Sequence, residues 1–229
     1  MSGEPLVSLI VPTFDEEEAL PSLLDHVDAL AGRWEVLVAD GGSSDATMEI
    51  ARKRGANVVR APGGRPGQLN AAARQASGEL LLFLHADSRL PAGAHASLVS
   101  VTADPAIGGG NFALRFDGDD PFARVLSAAY ALQRRFGFYY GDSSVWVRRE
   151  VFDLLGGYRE LPIMDDYDFV RRLEAGYRTA CVPGPARTSD RRWRRAGLVR
   201  TLFSWWTIRF LYVAGVPPRR LARLYRRVR

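Results

Sequence analysis

The feature that most constrains this chain is a set of acidic segments in a fixed order, three of which end short apolar runs. Leu6–Val11 leads into Pro12-Thr13-Phe14-Asp15-Glu16, and Glu35–Ala39 leads into Asp40-Gly41-Gly42-Ser43-Ser44-Asp45. Leu80–Leu84 leads into His85-Ala86-Asp87, and far downstream stands Met164-Asp165-Asp166-Tyr167-Asp168. Runs of this kind read as buried strands. Further strands are expected at 57–61, 107–116, 144–147 and 179–182, and helices at 17–31, 45–54, 68–76, 93–103, 121–136, 149–155 and 165–175. Repeated strand–helix units predict a mostly parallel sheet with helices on both faces. The carboxyl ends of strands in such a sheet line the ligand crevice. The acidic strand ends and the distant pair are therefore expected to meet in one cleft, suited to a nucleotide, a metal ion and a general base.

Length and charge narrow the class. The 229 residues suffice for one large α/β domain, with 47% apolar and 25% charged residues in the ordinary globular range. The single Cys181 excludes an internal disulfide and a cysteine-only zinc site. Residues 1–5 show neither a basic n-region nor an apolar h-region, so a cytoplasmic location is expected. Residues 185–229 hold thirteen arginines and one acid, Asp190, a net of +12, which leaves about −7 for residues 1–184 out of the chain total of +5. The expected division is a catalytic domain over 1–184 and a basic, aromatic-rich helical extension over 185–229. An acidic body with a basic tail is not a nucleic-acid groove, so no nucleic-acid partner is expected.

Individual residues carry the chemistry. Pro12 is expected to force the chain out of the first strand; Asp15 or Glu16 then accepts from ribose hydroxyls. Asp40 accepts from a base N–H while Gly41-Gly42 admit the ring to the backbone; the alternative is that Asp40 and Asp45 cap a turn and a helix, which is the preferred reading for Asp45. Arg65, in the loop before a helix start, suits a diphosphate, with Gln68 and Asn70 as polar neighbours. No P-loop and no GxGxxG follows the first strand, which argues against ATPases and dehydrogenases. His85 and Asp87 point the same way if the segment is extended, and would then share a cation; a structural histidine is the alternative. His26 and His95 read as surface residues. In Asp165-Asp166, paired carboxylates push one pKa upward, which suits a general base. Gly110 and Asp142 read as acceptor-side residues, with Tyr139 or Tyr140 stacking on a sugar.

Val7–Glu17, Val38–Thr47 and Asn70–Leu84, in that order, resemble family two glycosyltransferases of the GT-A fold. The resemblance runs from Leu6 to Trp193. His85-Ala86-Asp87 and Arg65–Asn70 are further similar to a small bacterial subgroup known as radical-SAM/selenodomain-associated transferases. The resemblance implies an α/β GT-A fold with a basic C-terminal helical tail. It implies that Pro12, Thr13, Asp15, Glu16, Asp40, Gly41, Arg65, Gln68, Asn70, His85 and Ala86 hold a nucleotide-diphosphate sugar. Asp87 with His85 holds Mn2+ or Mg2+, Asp166 is the base, Asp165 occupies the place of the family's Glu, and Gly110, Asp142 and Trp193 face the acceptor. The implied reaction is inverting transfer to the hydroxyl of a small or lipid-linked acceptor. His85 stands where the family has the first acid of Asp-x-Asp. Ser189 stands where processive members have the Gln of Gln-x-x-Arg-Trp, so processive polymerisation is not expected.

The apolar stretch 198–216 is interrupted by Arg200 and Arg209 and has no clean span for a bilayer. Leu202, Phe203, Trp206, Phe210 and Val213 recur at helical spacing. Docking on the domain or on a second subunit, giving a homodimer, is placed ahead of an interfacial helix on anionic lipid at the inner face of the membrane. The competing readings are a nucleotidyltransferase and a non-catalytic, basic-tailed membrane or nucleic-acid binding module.

Overall fold

The computed structural model describes residues 4–117, 121–188 and 198–225. Among them, β1 (Val7–Thr13), β2 (Trp34–Asp40), β3 (Asn57–Arg60), β4 (Leu80–Phe83), β5 (Ser88–Arg89), β6 (Ile107–Phe116), β7 (Val145–Arg148) and β8 (Arg178–Thr188) form one sheet. Their order is β3-β2-β1-β4-β7-β6-β8-β5. The helices are α1 (Leu20–Asp28), α2 (Thr47–Lys53), α3 (Arg65–Gln75), α4 (Ala94–Thr102), α5 (Pro121–Arg134), α6 (Arg149–Leu154), α7 (Asp165–Gly176), α8 (Leu198–Val213) and α9 (Pro218–Leu224). β3, β2, β1 and β4 are mutually parallel, as are β6 and β8, whereas β7 and β5 run against their neighbours.

Alternation along the strands divides the core between two faces. Val7, Leu9 and Val11 of β1 pack with Leu20, Leu23, Leu24 and Val27 of α1 and Ala94 and Leu98 of α4. On the other face, Ile10, Leu37, Leu81 and Phe83 pack with α3, α6 and α7 through Leu69, Phe152 and Phe169. Burial on both faces is why these strands read as continuous apolar runs. The chain moves outward from β1 to β2 and β3, then returns to place β4 on the other side of β1. That reversal opens a crevice at the carboxyl ends of β1 and β4, the place where sheets of this type bind ligands.

Several expected boundaries move. Pro12 does not end β1: its register partner is Ala39 and the strand continues to Thr13. The Ile10 carbonyl accepts from Leu84 on the β4 side, so the N–H that Pro12 lacks would face β4 beyond the last β1–β4 pair, Ile10–Phe83. α1 begins three residues later than expected, because Glu16 and Glu17 donate their backbone N–H groups to Thr47 and Asp45 instead of entering the helix. α3 begins at Arg65, which therefore lies in its first turn and not in the preceding loop. β8 passes through Pro183-Gly184 and crosses the division expected at residue 184. A register shift sets Val182 opposite Phe112 and Pro185 opposite Ala113, so the two intervening residues bulge out and pairing resumes. His95 is buried, bonded to the Pro5 carbonyl and edge-on to Trp34, and His26 is half-buried against Leu90; neither is the surface residue expected.

Candidate active site

The crevice at the sheet reversal is lined by Pro12, Arg65, Leu69, Phe83, Leu84, His85, Gly141, Tyr158 and Asp166. Its enclosed part is only about 20 Å3, far below the range for small-molecule clefts. It therefore forms the floor of a site whose remainder is open surface near the ends of β1 and β2.

The acidic pair is held by an arginine a hundred residues earlier. Arg65 Nε and Nη2 donate to Asp165 Oδ2 and Oδ1 at 3.0 and 2.7 Å, a bidentate pair, and Nη2 lies 3.5 Å from Asp166 Oδ2. Asp166 Oδ2 accepts from the Gly141 N–H at 3.0 Å, and Oδ1 accepts from the Tyr167 N–H at 2.8 Å. The Asp165 side chain is 6% exposed and that of Asp166 18%, so Asp166 is the one turned to the crevice. Burial pushes the Asp165 carboxyl upward despite Arg65. Burial also pushes Asp166 upward, but the Arg65 charge and then the Gly141 and Tyr167 amides outweigh it and hold Asp166 below the usual carboxylate range. The pair is thus polarised, with the crevice-facing member ionised. This reverses the expectation that the base is the raised member.

Arg65 is tied to the pair through Nε and Nη2, while its Nη1 reaches the crevice beside Gly141. Gln68 is also inside the scaffold: its Nε2 donates to the Thr13 and Ala39 carbonyls at 2.7 and 2.8 Å and fixes the ends of β1 and β2. A Cβ on Gly41 would stand 2.8 Å from that nitrogen, which is why glycine follows Asp40. Asn70 bonds both the carbonyl and the N–H of Tyr158, at 2.8 and 2.9 Å. Both amides serve the scaffold.

Asp40 is buried, and its carboxylate accepts from the Gly42 and Ser43 N–H groups and the Ser43 hydroxyl. These contacts realise the turn-capping alternative; base recognition by the same carboxylate would have to share them. Asp45 accepts from the Thr47 N–H at the start of α2, as its capping reading requires. Asp15 is exposed and accepts from Ser44, Glu16 is half-buried beside α2, and Thr13 is the register partner of Asp40. The β1 and β2 loops therefore share one edge with His85.

His85-Ala86-Asp87 is not extended. Ser88 donates to the His85 carbonyl and Ala86–Asp87 form a tight turn, so alternation does not aim His85 and Asp87 together. His85 lines the crevice 3.8 Å from Asp142, Ala86 is buried, and Asp87 is half-buried in the turn. Among the described residues no three His, Cys, Asp or Glu side chains form a complete cation cage. Gly110 belongs to the sheet interior: a Cβ there would lie 1.8 Å from the Ala180 carbonyl oxygen, so it cannot face an acceptor. Tyr139 is 1% exposed beneath Arg134 and cannot stack on a sugar, whereas Tyr140 stacks on Tyr167. Trp193, Arg192 and Ser189 lie outside the described residues.

Gly141 and Tyr158 were not anticipated as lining residues. A Cβ on Gly141 would meet Asp166 Oδ2, His85 Nε2 and Arg65 Nη1 at 3.2, 3.3 and 3.5 Å, so its hydrogen atom keeps open the space where these groups converge. Backbone strain marks the same place. The non-glycine residues with positive φ among those described are Asp15, Ser144 and Met164, each bordering a site segment. Such outliers persist where surrounding structure over-determines them, commonly at functional sites.

Solved structures share this architecture. A Pyrobaculum calidifontis mannosyltransferase, PcManGT, in complex with GDP-Man and Mn2+ superposes with a TM-score of 0.67 at 23% identity, covering 91% of this chain and 61% of that one. S. aureus TarS 1-349 in complex with UDP-GlcNAc gives 0.65 at 16% identity over 81% and 58% of the two chains. Fold and crevice together define an α/β protein of the GT-A glycosyltransferase fold. Residues 8–159 match Glycosyl transferase family 2, and the chain belongs to that family. A Synechocystis sp. relative, Beta-monoglucosyldiacylglycerol synthase, is 28% identical over 74% of this chain and 40% of its own length. A Yersinia pestis Undecaprenyl-phosphate 4-deoxy-4-formamido-L-arabinose transferase is 30% identical over 39% and 32%. The chain thus spans well under two thirds of these relatives' lengths.

Proposed function

We propose that this protein is a non-processive, inverting glycosyltransferase that moves a sugar from a nucleotide-diphosphate sugar to an acceptor hydroxyl. The observation that carries it is the Arg65-held Asp165–Asp166 pair facing His85 at the sheet reversal. Thr13, Asp15, Glu16, Asp40 and Gly41 take the nucleotide along the neighbouring loops, and Asp142 stands on the acceptor side. Asp166 accepts the acceptor O–H proton as that oxygen bonds the anomeric carbon. The bond from that carbon to the diphosphate breaks, and the nucleoside diphosphate leaves. An ionised carboxylate held by two backbone amides is oriented before the acceptor arrives, so positioning supplies much of the rate. Arg65 and Asp165 are positioning residues.

Carboxylate and imidazole suit a divalent cation chemically, although the 85–87 turn does not by alternation aim the two side chains together. Asp87 and His85, carboxylate and imidazole, would hold Mn2+ or Mg2+, which keep waters and phosphate oxygens among their ligands. When bound, such a cation offsets charge on a leaving diphosphate. The relatives whose names carry lipids, diacylglycerol and undecaprenyl phosphate, support a lipid-linked acceptor. His85-Ala86-Asp87 and Arg65–Asn70 support the narrower subgroup. A nucleotidyltransferase would require a glycine-rich loop after β1, where Thr13-Phe14-Asp15-Glu16 stands.

The test is a panel of UDP-, GDP- and dTDP-sugars with Mn2+ or Mg2+, read by thermal shift and by release of nucleoside diphosphate. One donor should stabilise the protein, and Asp166→Asn should bind it equally while losing transfer. Equal turnover by Asp166→Asn removes that residue from the role of base.

A further inference from the structure

α5 and α8 meet through Trp205, which packs on Phe116, Ala123 and Leu126, and through Arg209, whose Nη1 lies 3.2 Å from Gln133 Oε1. Beyond that contact each helix exposes large apolar side chains. On α8, Phe203, Trp206, Phe210 and Val213 are 66–73% exposed. Their spacing of three, four and three residues places them in one stripe. The other side of α8 holds Ile208, which is buried, and half-buried Tyr212, edge-on to Tyr167 at 5.7 Å. On α5, Val125 and Leu132 are exposed, and Phe136, just past the helix end, continues the line. Large apolar side chains exposed in a stripe along a helix mark a contact surface.

We propose that this face docks on an anionic lipid bilayer. Charge decides between occupants. Residues 185–229 carry thirteen arginines and one acid. Arg219, Arg220 and Arg223 are exposed on α9, and Arg124 and Arg135 are exposed beside the α5 stripe. Two copies joined through this face would bring two strongly cationic segments together, whereas anionic head groups neutralise them. Aromatic and aliphatic residues flanked by arginine are the pattern of a helix lying in the interface. No helix among the described residues is long and apolar enough to cross.

The face is coupled to the crevice. Arg209 lies over the Phe138 ring at 4.4 Å, Tyr140 stacks on Tyr167 at 6.0 Å, and these residues adjoin Gly141 and Asp166. On the glycosyltransferase reading, docking sets the base beside the bilayer and the acceptor hydroxyl arrives from lipid. The docking itself does not depend on that reading.

The experiment is co-sedimentation of the full chain, without nucleotide sugar, with phosphatidylcholine vesicles and with vesicles containing phosphatidylglycerol. The protein should partition to the anionic vesicles and lose affinity as salt rises. Trp206→Ser/Phe210→Ser should lower the partition coefficient at least about tenfold. Arg219→Gln/Arg220→Gln/Arg223→Gln should lower it about fivefold per arginine at low salt without touching the apolar stripe. Melting temperatures near that of the unsubstituted protein certify both variants as folded. No binding to anionic vesicles, or equal partition by both variants, overturns the proposal. So does a dimer that the aromatic variant splits while vesicle partition stays unchanged. Vesicle binding with no sugar transfer would leave docking intact and sink only the catalytic reading.

Discussion

At the scale of single residues, the site depends on how one arginine distributes its charge between two carboxylates. Asp166 is held below the usual carboxylate range, so the sign of its pH effect is fixed. Its contribution to stability is present above the unfolded carboxylate pKa and is lost as pH falls through the lower folded value. Transfer should likewise stay flat as pH falls through the ordinary carboxylate range and decline only below it. Arg65→Gln removes the charge that opposes burial, so the acid limb of the rate profile should move to higher pH. The same variant leaves two carboxylates buried without their cation and should cost about 3 kcal/mol of stability by chemical denaturation. An acid limb unmoved by Arg65→Gln would show that Asp166 is not the group titrating. Asp166 was legible in the sequence as one of two adjacent acids near a helix start. Arg65 was legible as a charge but not as a partner, because its contact spans a hundred positions.

At the scale of elements, glycine and asparagine decide how strands and loops approach. β6 and β8 run with backbone so close at Gly110 that a Cβ would lie 1.8 Å from the Ala180 carbonyl oxygen. Gly110→Ala must part the two strands, a class of change that exceeds about 4 kcal/mol. Its melting temperature should fall by roughly 10 °C or more. Asn70 ties α3 to the backbone of Tyr158 by both amide atoms. Asn70→Ala strips a donor and an acceptor from Tyr158, at about 1–3 kcal/mol for each group left unmet. Asn70→Asp keeps only the acceptor and should fall between. Hydrogen exchange at Tyr158 would follow the same order. The strands with both faces buried were readable from composition. The full length of β8 was not, because Pro183-Gly184 look like a terminator and are instead a bulge within a strand paired to β6.

At the scale of the whole molecule, one sheet gathers the β1, β2 and β4 ends with α7, so donor binding should stabilise the fold as a unit. A donor at a hundred times its Kd adds about 2.7 kcal/mol. For a chain of this size that should raise the melting temperature by roughly 5–10 °C. Asp87→Ala should remove most of the shift that depends on Mn2+ or Mg2+. A shift unchanged in Asp87→Ala would exclude that residue from the cation site.

The sequence alone determined the layering of the fold and the order of its acidic strand ends. Apolar runs, helical spacing and turn residues are local signals, set by burial and backbone sterics within a few positions. Tertiary structure alone decided which polar groups are partners. It turned Arg65 to the acids, put Gln68 and Asn70 into the scaffold, and closed His85-Ala86-Asp87 into a turn. A charge or amide binds whatever the fold brings within about 3 Å; that neighbour comes from the strand order, which brings residues a hundred positions apart into contact.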